Sequence, residues 1–202
     1  MIRLHHLNKS RSLRIMWLLE EIGVDYDLVA YHRNKQTRLA PPELRDVHPL
    51  GKSPVIEMDG RVIAESAAIV EMICAKHAPQ MIPEKGTTSY VNHLELMHFA
   101  EGSAMLPPLL GLYTSILGES AAPLQPRITS EMHNHFSYMD SQLRPSGHFV
   151  LDDLSAVDVM MVFPAEIAVR GEGAKQYPAL ARFVDAIHAR PAYQRAQARD
   201  NG

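Results

Sequence analysis

Two short stretches of this chain put reactive residue types where backbone polarity would reinforce them. The first runs Gly51-Lys52-Ser53-Pro54-Val55-Ile56, then Asp59-Gly60, then Ala64-Glu65-Ser66-Ala67-Ala68-Ile69. It reads as strand, tight turn, strand and helix start, with a proline where the first of these strands begins. A carboxylate and a hydroxyl then sit at the mouth of a helix. Free N–H groups and the positive end of the helix dipole favour a bound carboxylate there. The Ser66 hydroxyl can donate to that carboxylate, and Glu65 can pair with an ammonium. Together they suit an α-amino acid head group, as on a small zwitterionic peptide. Taken alone, a capping serine preceded by a solvated acid accounts for the same two residues.

The second stretch is the polar loop Asn8-Lys9-Ser10-Arg11-Ser12, which also opens a helix. A thiol placed at such a loop has its pKa lowered by hydroxyl hydrogen bonds and by the dipole. A free thiol with a pKa of about 8.5 is only a few per cent thiolate at neutral pH. A shift of about two units, roughly 2.7 kcal/mol, makes it mostly ionised. Ser10 or Ser12 can supply the hydroxyl, Asn8 an amide and Arg11 positive charge. The plainer alternative is that Ser10 only caps the helix.

Other chemistries find less support. The eleven histidines invite a metal reading, but His5 and His6 are adjacent on a strand and face opposite sides. His133 and His135 are two apart on a helix and do not share a face. There is no HExxH and no cysteine partner, so no metal is expected. The single cysteine, Cys74, sits mid-helix among Met72, Ile73 and Ala75 and reads as core. One cysteine excludes a disulfide framework within the chain and points to a reducing compartment. No P-loop or dinucleotide glycine fingerprint is present. The net charge is −3 with both signs interspersed, which argues against a nucleic-acid partner. The N-terminus does not read as a signal peptide, and no apolar run approaches the roughly 20 residues of a membrane span. A soluble, cytoplasmic protein is expected.

The elements that must position these residues fall into two halves. With 202 residues, 46% of them hydrophobic, the chain suits one large domain or two small ones. Ile2 to Leu7 reads as a strand, Leu13 to Ile22 as a helix closed by Gly23, and Tyr26 to Tyr31 as a second strand. That order makes a right-handed crossover with parallel strands. The helix is apolar around nearly its whole circumference, so it should lie between a sheet and another body, such as a second domain. Pro42 to Asp46 allows one helical turn. Val55 to Met58 and Arg61 to Ala64 flank Asp59-Gly60, a strong hairpin signal. Ser66 then caps a helix running to about His77.

Residues 78–87 read as a linker carrying Pro79, Pro83 and Gly86. Beyond it the pattern is helical: Tyr90 to Met105 with Pro107-Pro108 interrupting, then Ile128, Met132, Phe136, Met139 and Leu143 at helical spacing. Ser155-Ala156-Val157-Asp158 matches a capping box with Asp in place of Glu. Pro178 and Pro191 suit the first turns of two more helices. The fold expected is an α/β N-terminal domain over 1–77, ordered βαβ then ββα, followed by an all-α domain over 88–202. The βαβ-ββα order is the thioredoxin-like arrangement, in which a proline opening the third strand is commonly cis and frees neighbouring backbone to pair with a peptide-like ligand. Pro54 is placed for this, with a trans proline at a strand entrance as the alternative.

With these residues in place, the chain resembles the cytosolic glutathione transferase family. The likeness is carried by LHHLNKSRSLRIMWLLEEIGVDY, by the more specific HPLGKSPVIEMDGRVIAESAAI, by the SAVDVMM capping segment and by the RPAYQRA ending. The resemblance implies a glutathione site in a thioredoxin-like domain near the interface of a homodimer. It implies that Glu65 and Ser66 hold the γ-glutamyl end, that Val55 after Ser53-Pro54 pairs with the cysteinyl backbone, and that Lys52 reaches the glycyl carboxylate, helped by Lys35 or His48. Members with a catalytic tyrosine carry it early, and His6 and its neighbours offer none. Bacterial members with a catalytic cysteine carry it in this loop, where Lys9 stands instead. The Asn8, Ser10, Arg11, Ser12 set resembles a serine-type variant, with Ser10 first and Asn8 and Ser12 behind it. By the same resemblance Met97, His98, Glu101 and Met105 line the electrophile pocket, the alternative for the methionines being core. The activity implied is conjugation of the glutathione thiolate to small apolar electrophiles in detoxification, glutathione serving as co-substrate. The alternatives are glutathione-dependent reduction of disulfides or peroxides, and a binding protein that has lost catalysis.

Overall fold

The computed structural model describes residues 1–200. The chain opens with β1 (Ile2–Leu7), α1 (Ser12–Ile22) and β2 (Tyr26–Tyr31), and β1 and β2 pair in parallel from Ile2 opposite Tyr26 to Leu7 opposite Tyr31. A single turn, α2 (Leu44–Val47), follows. Then come β3 (Val55–Met58), β4 (Arg61–Ile63) and α3 (Ser66–His77). β3 runs antiparallel to β1, and β4 antiparallel to β3, giving one sheet in the order β2-β1-β3-β4. This is the thioredoxin-like βαβ-ββα arrangement expected.

The hydrophobic pattern explains why these elements pack as they do. Ile2 and Leu4 of β1, Val55, Ile56 and Met58 of β3, and Ile69, Val70 and Ile73 of α3 are buried together with Ile15 to Leu19 of α1. Asp59 and Gly60 both take positive φ in the hairpin, as a two-residue turn between right-twisted strands requires. The β4 strand ends at Ile63, one residue short of the expected Ala64.

Two boundaries differ from the sequence reading in ways that matter for chemistry. Ser66 is not a cap: Glu65 occupies the N-cap position of α3 and makes no side-chain capping bond. Met105 does not belong to the helix that holds Met97. That helix, α4 (Thr88–Gly102), is capped by Thr87 and stops before it, and Met105 is the N-cap of α5 (Leu106–Thr114). Pro107-Pro108 therefore begin a helix rather than interrupt one, since proline lacks only an N–H that a first turn leaves unbonded.

The remaining helices are α6 (Gln125–Gln142), α7 (Ala156–Ala168), the short α8 (Gly173–Gln176), α9 (Pro178–His188) and α10 (Pro191–Asp200). The chain divides into two compact units, one of Met1–Ile82 with the segment from Ile187 onward, the other of Pro83–Ala186. The first therefore recruits the end of the chain. α10 lies on α1, where Tyr193 meets Trp17 edge-on at 5.6 Å between ring centroids. Trp17 is fully buried, a burial worth about 3 kcal/mol. Its indole N–H donates to Glu21 at 3.0 Å, and Glu21 also accepts from Arg190 at 3.0 Å. Glu20 accepts from Arg195 at 2.9 Å and Arg199 at 3.0 Å. The body that covers the far side of α1 is thus a helix of its own unit.

In the second unit α4 packs on α7, and α5 on α6. α7 is almost wholly buried, and its N-terminus carries both halves of the expected capping box. The fully buried Asp158 carboxylate accepts from Ser155 N–H at 2.7 Å, Ser155 Oγ at 2.7 Å and Phe149 N–H at 3.0 Å. No helix among the described residues is long and apolar enough to cross a membrane.

Removing either half of the box should cost unequal amounts. Ser155→Ala loses a cap, about 1 kcal/mol. Asp158→Ala leaves several buried donors unpaired and should cost about 3 kcal/mol. Urea unfolding of the two variants measures both, and equal losses would mean that the carboxylate does not organise this turn.

Candidate functional site

β1 delivers two histidines to opposite faces of the sheet, as strand alternation requires. His5 bonds the Tyr31 hydroxyl at 3.0 Å and Glu57 at 2.9 Å. His6 turns inward and is 1% exposed. Its Nδ1 lies 2.8 Å from Ser12 Oγ, and its Nε2 lies 3.1 Å from Asp200 Oδ1. Ser12 Oγ is in turn 2.8 Å from Ser10 Oγ. The result is a continuous chain, Asp200–His6–Ser12–Ser10, from the last turn of α10 to the loop before α1.

The backbone holds this chain in place. Ser10 Oγ accepts from Ser12 N–H at 3.2 Å, so Ser10 does bond the helix start, although Arg11 holds the N-cap position. Leu7 N–H donates to Ser12 Oγ at 3.2 Å and to Ser53 Oγ at 3.1 Å. Lys9 takes positive φ and points its N–H at Asp200 Oδ1 at 2.9 Å. Asn8 accepts Arg33 N–H on its side-chain oxygen at 2.9 Å, which ties the loop to the end of β2. Burial alone would raise the Asp200 carboxyl. The hydrogen bonds from His6 and from Lys9 N–H, with their positive charge, outweigh it and hold Asp200 below the ordinary aspartate range.

The second part of the site begins where Ser53 meets β1. The Ser53–Pro54 bond is cis. Ser53 Oγ donates to His5 C=O at 2.9 Å, so its hydroxyl locks the turn to β1. Val55 pairs with His5 on one side, but the ladder with β4 covers only Ile56, Glu57 and Met58. The other backbone edge of Val55 is therefore outside the ladder, on the β4 side of β3. An edge of this kind takes an extended peptide. Gly51, just upstream, has φ +57°, and a Cβ there would lie 2.8 Å from Arg45 Cγ, so the approach to the turn requires glycine.

Glu65 stands at φ 69°, ψ 117°, a conformation that costs a non-glycine residue about 1–3 kcal/mol and marks functional sites more often than ordinary turns. Its side chain is exposed, while Ser66 behind it is 5% exposed in the first turn of α3. Lys52 and Lys35 are exposed, and His48 is half-buried with its Nδ1 accepting from Leu50 N–H at 3.3 Å. In the second unit Met97 and Met105 are buried at 1% and 2%, His98 is exposed and Glu101 half-buried. The methionines therefore pack as core, and the polar pair remains accessible. Cys74 is sealed in α3, and burial pushes its thiol up to about 12, with Glu71 adding to the effect. Among the described residues no three His, Cys, Asp or Glu side chains come together as metal ligands.

A thioredoxin-like unit whose third strand opens on a cis proline and keeps an unladdered backbone edge defines a class of folds able to take a peptide-like ligand. Comparison with known proteins narrows this class. Residues 1–74 match the family described as glutathione S-transferase, N-terminal domain. Glutathione S-transferase 3 of Schizosaccharomyces pombe is 33% identical over 208 residues, covering 95% of this chain and 85% of that protein. A crystal structure of a glutathione S-transferase from Actinobacillus pleuropneumoniae superposes with a TM-score of 0.90 at 30% identity, covering 100% of this chain and 94% of the other. A sphingomonad glutathione S-transferase complexed with glutathione shares the fold at TM-score 0.79 and 22% identity, covering 98% of each chain. The chain belongs to the glutathione S-transferase family.

The sequence reading named Ser10 and Ser12 but not the groups behind them. His6 was legible as an inward residue only by alternation from His5. Asp200 lies so far along the chain that no local spacing connects it to the loop.

Asp200 should therefore stabilise the fold with a definite pH dependence. Its folded pKa is lowered, so its contribution is complete above the unfolded aspartate value of about 3.9 and disappears as pH falls through the folded value. Asp200→Asn should cost about 3 kcal/mol at neutral pH, as for a broken buried pair. In urea titrations the gap to wild type should narrow below about pH 4. A gap that widened on acidification would reverse the sign assigned to this carboxylate.

Proposed function

We propose that this chain binds glutathione on the N-terminal unit and joins its thiolate to small electrophilic, apolar substrates. The observation that carries the reading is the shared Leu7 amide. It donates to Ser12 Oγ and to Ser53 Oγ, which ties the serine pair to the cis-proline turn that precedes Val55. A peptide paired to Val55 brings its cysteinyl sulfur toward the serines, which is the geometry thiol activation needs.

In this reading Glu65 pairs with the γ-glutamyl ammonium. Ser66 and the N–H groups of the first turn of α3 hold its carboxylate. Lys52 meets the glycyl carboxylate, with Lys35 or His48 as a second contact. Ser10 donates to the thiolate, which makes the protein a serine-type member. Asn8 and Arg11 shape and polarise the loop, and Ser53 and Pro54 set the turn. His98 and Glu101 are the accessible groups on α4 for the electrophile, with Met97 and Met105 supporting them from the core. The protein acts as a cytoplasmic homodimer in detoxification.

Glutathione binding should be measured first, followed by turnover of an aryl halide and of a mixed disulfide. Aryl-halide turnover is expected. Turnover of the disulfide alone would replace conjugation by reduction, and absence of glutathione binding would remove the reading altogether. Ser10→Ala should raise the pKa of the bound thiol by about one unit, equivalent to about 1.4 kcal/mol, while leaving affinity for glutathione nearly unchanged. Glu65→Gln should do the opposite, weakening affinity by about tenfold, a 1.4 kcal/mol loss, with the thiol titration unmoved. If each variant produced the other's effect, the roles of binding and activation would be exchanged.

A further inference from the structure

We propose that Asp200, His6, Ser12 and Ser10 form a buried relay that takes up the proton of the glutathione thiol, so that the thiolate forms without releasing that proton to solvent. The inference rests on the glutathione reading above and goes beyond it to where the proton goes.

The hydrogen-bond inventory of the four groups admits two directions. Asp200 is ionised and its Oδ1 lies 3.1 Å from His6 Nε2, a charge contact without hydrogen-bond alignment, and its negative charge favours a hydrogen on that nitrogen. If the ring is otherwise neutral, Nδ1 is an acceptor. Ser12 then donates to Nδ1 and accepts from Leu7 N–H and from the Ser10 hydroxyl. Ser10 Oγ accepts from Ser12 N–H and keeps one lone pair for a thiol S–H. If the ring is charged, every side-chain bond reverses. Nδ1–H donates to Ser12, Ser12 donates to Ser10, and the Ser10 hydroxyl hydrogen is free to donate to a thiolate. In both directions each serine uses its one donor and two acceptor sites, and Leu7 C=O at 3.3 Å is a further acceptor for the Ser12 hydroxyl.

One concerted shift converts the first state into the second. The thiol S–H bond breaks and its electron pair stays on sulfur. The thiol proton passes to Ser10 Oγ, the Ser10 proton to Ser12 Oγ, and the Ser12 proton to His6 Nδ1. A neutral imidazole and a thiol become an imidazolium and a thiolate, and Asp200 keeps its charge throughout. The new cation is formed 3.1 Å from a buried carboxylate, and the new anion receives the hydroxyl that the shift has turned outward. After the sulfur has displaced halide from an aryl halide, the halide leaves as the anion and the proton passes back through Ser12 and Ser10 to a water molecule that enters as the product departs.

Burial suits this role. Ser12 is 0% and His6 1% exposed, so the proton cannot exchange with water midway, while Ser10 at 8% is the end that meets a ligand. The other charged groups near the loop come from different elements. Arg33, after β2, bonds the carbonyls of Asn8 and Lys9 at 3.2 and 3.4 Å, and Arg11 lies at the start of α1. Among the described residues, Asp200 is the carboxylate paired with His6. Within this arrangement His6 and Asp200 are positioning residues that act on the ligand through the serines.

The test counts protons on the intact protein. Glutathione and S-methylglutathione are bound at neutral pH in buffers of different ionisation enthalpy, with calorimetry giving protons released and ultraviolet absorbance giving thiolate formed. S-methylglutathione has no thiol proton, so the difference between the two peptides isolates it. The expected result for the wild-type protein is a substantial thiolate signal with a proton difference close to zero. One proton released per thiolate formed would overturn the relay while leaving glutathione binding intact. Thiolate absent from a bound complex would overturn it as well, whereas failure of both peptides to bind would instead remove the functional reading beneath it. His6→Gln can still accept from Ser12 but cannot hold the proton. It should lower the thiolate fraction and release one proton for each thiolate that remains, and behaviour identical to wild type would overturn the proposal. The wild-type measurement decides the question even if that variant fails to fold.

Discussion

Helix α1 is apolar around nearly its whole circumference, and a helix of that kind has to be covered on every side. The sheet and α3 cover part of it. α10 covers the rest, with Tyr193 against Trp17 and arginines 190, 195 and 199 on the two glutamates that end α1. The exposed ion pairs each contribute little. They do fix the rotation and height of α10, and this is what brings its last turn down onto the loop between β1 and α1. The site depends on that packing.

Once α10 is seated, Asp200 is only 8% exposed and must find partners in the protein. It finds Lys9 N–H and His6. His6 finds Ser12, and Ser12 finds Ser10, Leu7 N–H and through it Ser53. A buried polar network of this sort is rigid only when every member is satisfied. Here one set of contacts orders the Ser10 hydroxyl, the cis-proline turn and the last turn of α10 together. The packing of a hydrophobic helix is thus converted into the placement of a few polar hydrogens.

The segment from Gly51 to Ile69 was legible because its signals are local. Asp59-Gly60 between apolar runs makes a hairpin, a proline at a strand entrance marks the turn, and an acid and a serine before an apolar run mark a helix start. The role of Ser66 was misjudged for a local reason too. Glu65 adopts a positive φ that no propensity favours, and this moves the helix boundary by one residue. The loop from Asn8 to Ser12 was read as chemically active, and only the family resemblance put Ser10 ahead of Ser12. Both serines carry the same functional group, and what tells them apart is that Ser12 meets His6 while Ser10 lies one hydroxyl further out.

The sequence by itself determined the order of strands and helices, the parallel and antiparallel pairings, the position of Pro54 and the polar character of both loops. These follow from hydrophobic periods and turn residues acting over a few positions. It also determined that α1 needed a cover, since its apolar faces were visible. Which body supplies that cover was decided only in three dimensions. So was the pairing of His6 with Asp200, because contacts between residues so far apart arise from how helices pack and leave no periodic trace in the chain. That long-range contact bears on the loop before α1 itself, since His6 is also the partner of Ser12.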